Sequence, residues 1–180
     1  MLTMPMFPWK RSEFKRLVKK SNGKVVLLVH PFFPHDSEEG AVAYKKNIAK
    51  LARSAKAPLV VLEEWNKKRK TKKRLNAQFI YPTIKGYPTP LLGWNFIHLL
   101  FKQAGVKTVL IGGAYSLRTI STLAVPTEVA KHEAQIPRRP INGCGFACVA
   151  ETYKQMIAAG HPKVRLLPAM VFPDKPKYER

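Results

Sequence analysis

The chain has 180 residues and carries 32 Lys and Arg against 11 Asp and Glu, a formal net charge of +21 at pH 7. This length suits one domain with a single hydrophobic core, and a hydrophobic content of 46% is ordinary for a globular protein. No apolar run is long enough to cross a bilayer. The charge predicts attraction to polyanions, with an affinity that falls as the salt concentration rises.

The amino-terminal sequence MLTMPMFPWKRSEFKRLVKK lacks the uninterrupted apolar stretch and the cleavage site of a secretory signal. The two cysteines, Cys144 and Cys148, do not make a disulfide framework, so a reducing cytoplasm is the predicted compartment. No familiar zinc spacing joins them to His132 or His161. We expect no metal, no cofactor and no membrane partner.

Short apolar runs rich in β-branched residues alternate along the chain with amphipathic segments, a pattern typical of buried parallel strands joined by helices. Strands are predicted over 24–30, 58–65, 107–113 and 163–172. Helices are predicted over 36–57, 91–105 and 145–160. This order predicts an α/β fold, a three-layer Rossmann-like domain in which a parallel sheet is flanked by helices.

The predicted helices have recognisable ends and faces. Asp36 with Glu39 fits a capping box at the start of the first helix, and Gly105 fits the carboxyl end of the second. The residues expected to face the core are Val42, Ile48, Leu51, Ala52 and Ala55 in the first helix and Phe96, Leu99 and Leu100 in the second.

The composition divides the chain into three parts. Residues 1–23 form a basic amino-terminal segment, 24–172 a single α/β domain, and 173–180 a tail. Within the domain, 116–142 separates the third predicted strand from the last helix and is interpreted as an insertion or lid.

Positive charge is concentrated in the sequence KKRKTKKR, with a second basic segment at 10–20. In the sequence KKRKTKKR, seven of the eight residues are cationic: Lys67, Lys68, Arg69, Lys70, Lys72, Lys73 and Arg74. Such a run predicts a surface that binds RNA, DNA or another polyanion, and the alternative is a merely solvated segment. Aromatic residues are sparse in both segments, which gives little support to base stacking there.

Ligands of parallel α/β sheets bind beyond the carboxyl ends of the strands. The residues there include His30 after the first strand and Glu63 and Glu64 at the end of the second, where either carboxylate is expected to pair with an arginine. The sequence contains no Walker phosphate loop, no full dinucleotide glycine fingerprint and no G-x-S-x-G elbow. A serine triad is therefore not expected.

Cys148 falls in the first turn of the last predicted helix, in the sequence GCGFACVAETYKQMIAAG. The helix dipole and unpaired amides there stabilise a thiolate and can hold an oxyanion. The alternative is that the cysteines are small buried hydrophobic residues, which is a common role.

Three segments together resemble the isochorismatase-like cysteine hydrolases. They are KVVLLVHPFFPHDSEEGAVAYKKNIAKLARSAKAPLVVLEEW, KGYPTPLLGWNFIHLLFKQAGVKTVLIGG and GCGFACVAETYKQMIAAG. That family uses an aspartate, a lysine and a cysteine. The resemblance therefore implies Cys148 as the nucleophile and Lys85 as an electrostatic aid. His30 stands where the family has its aspartate and is the implied base, since histidine titrates near neutral pH.

The same resemblance implies hydrolysis of a small amide or ester and a homo-oligomeric assembly. The implied substrate-binding residues are Gly143 and Gly145 beside the cysteines and Arg118 in the insertion. Two hypotheses thus stand: a divergent hydrolase with a small-molecule substrate, or a non-catalytic basic protein that binds nucleic acid or another polyanion.

Overall fold

The computed structural model describes residues 8–34, 36–37, 40–77, 79–85, 87–114 and 148–172, with the side chains of residues 8–10 and 168 left aside. The elements within these ranges are α1 (Pro8–Lys20), β1 (Lys24–Val29), α2 (Ala41–Ser54), β2 (Leu59–Glu64), α3 (Lys68–Leu75), β3 (Phe79–Thr83), α4 (Trp94–Ala104), β4 (Thr108–Ala114), α5 (Cys148–Ala158) and β5 (Val164–Phe172). None of these helices combines the length and the apolar character that crossing a membrane requires.

The described strands form a parallel five-stranded sheet in the order β3-β2-β1-β4-β5. Val29 pairs with Leu62 on one side and with Gly113 on the other, so β1 is central. The strand order reverses between β1 and β4, the position at which such sheets open a crevice. The prediction of a three-layer Rossmann-like α/β fold is confirmed.

The two faces of the sheet bury separate apolar clusters. Residues of α1, α4 and α5 cover one face, where Leu27 and Ile111 lie among the buried strand residues. Residues of α2 and α3 cover the other face around Leu28 and Val61. Helix α1 belongs to this packing because the ring of its buried Phe14 lies 5.0 Å from the Phe79 ring, centroid to centroid.

Two glycines allow β4 to approach its neighbours closely. A Cβ on Gly113 would overlap the carbonyl oxygen of Val29, and one on Gly112 would lie 2.7 Å from Met170 Cβ. Gly113 also has a φ of 125°, which side chains rarely adopt. The reversal point of the sheet therefore requires glycine in β4.

The structure corrects several local predictions. Helix α2 begins at Ala41 after Gly40, whose φ is 78°, so the predicted Asp36 cap is wrong. Asp36 instead accepts a hydrogen bond from Lys45 Nζ at 2.6 Å. Val42 and Leu99 are 61% and 51% exposed, so their predicted core positions are also wrong.

The predicted end of the second helix is confirmed. Gly105, with a φ of 74°, ends α4 as expected. The proposed insertion at 116–142 and the tail at 173–180 lie outside the described residues.

Candidate functional site

His30 ends β1 at the carboxyl edge of the sheet. Its backbone has a φ of 44°, and its N–H donates to the Leu62 carbonyl at 2.9 Å. The side chain is fully buried, and its Nε2 lies 2.9 Å from Thr83 Oγ1 on β3. The left-handed backbone ends the strand, and the ring is held by a contact that reaches across to β3.

The environment of His30 keeps its imidazole neutral. Burial lowers its pKa from 6.5 to about 4, opposed by the Glu64 carboxylate and reinforced by the Lys67 ammonium. Its Nδ1 has no hydrogen-bond partner in the described part of the chain. A histidine with this pKa is a weak general base, because proton transfer is most efficient when the pKa lies near the working pH.

The carboxylates at the end of β2 have different partners. Buried Glu63 accepts the Glu64 N–H at 3.0 Å through Oε1 and the Thr71 hydroxyl at 2.9 Å through Oε2. Burial raises the pKa of Glu63 above its ordinary value. Glu64 Oε2 lies 3.4 Å from Lys67 Nζ, so Glu64 pairs with a lysine of the basic run where an arginine was expected.

The basic run folds as helix α3 directly after β2. Thr71 and Leu75 are buried, one turn apart, and hold the helix against the domain. Asn76, with a φ of 52°, ends it. The outward side, called here the basic face, consists of the exposed residues Arg69, Lys70, Lys72, Lys73 and Arg74.

Lys67 and Lys68, the cations of the run outside the basic face, also contact residues of their own domain. Lys67 Nζ lies 3.8 Å from the centroid of the Phe33 ring in addition to its pairing with Glu64. Lys68 Nζ lies 5.3 Å from the Trp65 ring. In the described ranges, no carboxylate lies within ion-pair distance of the basic face. Apart from Arg74, whose guanidinium carbon lies 4.9 Å from the Phe32 ring centroid, these charges are therefore available to an external anion.

The residues implied by the hydrolase resemblance are partly described. Lys85 is exposed, two residues beyond Thr83, in a turn where the Ile84 N–H donates to the Thr89 carbonyl at 2.9 Å. It therefore lies at the same sheet edge as His30. Gly143, Gly145 and Arg118 lie outside the described residues.

Cys148 is the first residue of α5, and its side chain is 0% exposed. It packs in the apolar cluster that also contains Val149 and Met156. Its carbonyl accepts the Thr152 hydroxyl at 2.8 Å. The predicted start at residue 145 lies outside the described residues, and the Cys148 side chain is buried.

Two contributors to this region were missed by the sequence analysis, strand β3 and Thr71. The strand is five residues long and contains Pro82, which weakens its pattern. Thr71 and Leu75 are the two buried positions of α3, and their spacing of four residues is a helical signal. The dense charge around them obscured that signal.

No protein-family model matches this chain, and neither the curated proteins nor the solved structures include a significant match.

Proposed function

We propose that this protein binds nucleic acid, with the basic face of α3 as the main contact to the phosphate backbone. The observation that carries the proposal is a helix of eight residues that is anchored by two buried residues and presents five exposed cations without an acidic residue. Phosphate contacts of this kind supply most of the affinity of non-specific nucleic-acid binding.

The density of charge favours a polyanion over a small anion. Eight helical residues span roughly 12 Å, and duplex DNA carries one charge per about 1.7 Å of its axis. Five cations on one short helix are thus matched to several successive phosphates. Burial of Thr71 and Leu75 fixes the helix before binding, which reduces the ordering cost of association.

Helix α1 adds a second source of positive charge. Its exposed residues include Lys15, Arg16, Lys19 and Lys20, while Phe14 and Val18 are buried on its other side. The second basic segment is therefore an amphipathic helix rather than a free tail, and it packs on the opposite face of the sheet from α3.

The test is fluorescence anisotropy with labelled single-stranded and duplex oligonucleotides at several salt concentrations. The test variant replaces Arg69, Lys70, Lys72 and Lys73 with Gln, which retains good helix propensity. Arg74 is kept because its guanidinium carbon lies 4.9 Å from the Phe32 ring centroid. We expect weaker binding and a shallower salt dependence.

A matched control removes four exposed charges elsewhere: Lys102, Lys107, Lys163 and Arg165. Loss of affinity equal to that of the α3 variant would show that only net charge matters and would contradict the proposed contact. A third arm uses vesicles containing acidic phospholipid. Binding to these vesicles, with none to either oligonucleotide, would contradict nucleic acid as the ligand.

A divergent isochorismatase-like hydrolase is the second candidate. Its support is the position of His30 and Lys85 at the carboxyl edge, where α5 begins with Cys148. The role of base is poorly suited to a histidine whose pKa is about 4, and full burial of Cys148 favours packing. Hydrolysis of a small ester or amide that is lost in a Cys148→Ala variant would support this candidate over the first.

A further inference from the structure

A groove of about 480 Å³ opens at the amino edge of the sheet, opposite the edge that holds His30. It lies where α1, α2 and α3 end and where β2 and β3 begin. Its lining includes Leu17, Ala52, Ala55, Ala57, Pro58, Leu59, Leu75 and Phe79, which make an apolar floor, and the polar residues Lys20, Arg53, Lys56 and Asn76. Its volume falls within the roughly 300–1,000 Å³ of small-molecule pockets.

The charge around the groove is positive even after the helix ends are taken into account. Three helices end there, and each carboxyl end carries roughly half a negative elementary charge. Lys20, Arg53 and Lys56 supply three full positive charges, and none of the described lining residues is acidic. The groove therefore favours a ligand with an apolar part and an anionic part.

The groove lies at the carboxyl end of α3, the helix that carries the basic face. Leu75 and Asn76 at the end of α3 line it, and Arg74 of the basic face is the residue before them. A chain of phosphates that follows α3 towards its carboxyl end therefore arrives at Lys20, Arg53 and Lys56.

We infer that this groove receives one nucleotide of a single-stranded nucleic acid, with its base on the apolar floor and its phosphates on Lys20, Arg53 and Lys56. The inference rests on the proposed function and narrows it to a preference for single strands. A base in a duplex is paired and stacked, so it does not enter such a groove unless it is flipped out. A free base edge and face in a single strand are available for this contact.

A nucleotide within a single strand differs from the other anions that the positive charge of the groove would attract. Inorganic phosphate has no apolar part to cover the half-buried Leu17, Ala55 and Ala57, and the bases of a duplex are paired and stacked. A lone nucleotide lacks the neighbouring phosphates that reach the basic face. The two features together, an apolar floor and an adjoining row of cations, select a nucleotide within a strand.

The experiment compares single-stranded and duplex oligonucleotides of equal length, as RNA and as DNA, at one salt concentration. A single-stranded probe containing 2-aminopurine reports burial of a base by its fluorescence. The first groove variant is Ala55→Leu, which narrows the groove at a partly exposed position. The second is Arg53→Gln with Lys56→Gln. Its control is Lys46→Gln with Lys50→Gln, two exposed charges on α2 outside the groove.

We expect the unmodified protein to bind a single strand about tenfold more tightly than a duplex, the scale of covering one exposed apolar side chain. Both groove variants should reduce this preference and the 2-aminopurine signal, while the Lys46 and Lys50 variant should retain them. Equal affinity for single strand and duplex, or groove variants that preserve the preference, would overturn the inference and leave the α3 contact intact. Absence of binding to every oligonucleotide would overturn the proposed function itself.

Discussion

Thr71 donates its hydroxyl hydrogen to Oε2 of the buried Glu63 carboxylate, at 2.9 Å. This bond joins the middle of the basic helix α3 to the end of β2. Glu63 also accepts the Glu64 N–H, and Glu64 pairs with Lys67 just before the helix begins. Two of the few carboxylates in the chain thus hold the basic helix in place, while its outward cations remain available.

Replacing Thr71 with Val tests this anchoring. Valine keeps the shape of threonine but leaves Glu63 Oε2 without its hydroxyl donor, so we expect a loss of about 1–3 kcal/mol in the free energy of unfolding. Urea denaturation followed by circular dichroism measures the loss. Thr71→Ser retains the hydroxyl and is the control. Equal stability of the Val and Ser variants would show that the hydrogen bond contributes little.

Because His30 is buried as a neutral imidazole, we expect the protein to lose stability in mild acid. Its pKa is about 4 in the folded protein against an ordinary 6.5, so the unfolded chain binds the proton more readily. Its contribution is present above pH 6.5 and is lost between pH 6.5 and 4, by up to about 3 kcal/mol.

Unfolding free energies of the unmodified protein and of a His30→Gln variant, measured from pH 7.5 to 4, isolate this effect. Burial also lowers the pKa values of His98 and His161, but these residues are present in both proteins and their contributions cancel. The difference in unfolding free energy between the unmodified protein and the His30→Gln variant should narrow below pH 6.5. A constant difference would contradict the neutral, buried state of His30.

Gly113 should not tolerate a side chain. Gly113→Ala places a methyl group against the Val29 backbone in the centre of the sheet, so we expect a loss above about 4 kcal/mol or failure to fold. Gly160→Ala is the control because Gly160 also has a positive φ, 72°, but a Cβ there meets no atom within 4 Å. That variant should lose about 1–2 kcal/mol, the cost of the left-handed backbone alone. Similar losses of stability in both variants would show that the close approach of β4 to β1 does not determine the cost of a side chain at Gly113.

The thiol of Cys148 should be inert in the native protein. Its side chain is 0% exposed, so iodoacetamide is expected to modify it only after unfolding, as read by peptide mass spectrometry. Rapid alkylation at neutral pH in the native state, together with an apparent pKa well below about 8.5, would instead support the hydrolase candidate.

The sequence was most informative where one physical signal dominated. Continuous apolar runs predicted four strands and therefore the parallel α/β fold, because strands covered on both faces need apolar residues throughout. The signals failed where local chemistry competed with tertiary context. Asp36 and Glu39 fit a cap in sequence, but the helix starts after Gly40, whose positive φ redirects the chain.

The candidate site was less predictable than the fold because it depends on contacts between distant segments. His30 was expected at the strand end, but its contact with Thr83 requires β3, a short strand that contains a proline. The basic run was visible from charge alone. Its helical form depended on two anchoring residues, Thr71 and Leu75, whose burial becomes evident only once the domain is assembled.

The most direct test of the account is the salt dependence of oligonucleotide binding, compared between the unmodified protein and the variant with Gln at 69, 70, 72 and 73. Each lost phosphate contact should reduce the slope of log K against log salt by about 0.7 on a single strand, so four contacts should reduce it by about 3. The control with Gln at 102, 107, 163 and 165 should keep the original slope. An unchanged slope in the α3 variant would contradict the basic face as the nucleic-acid contact.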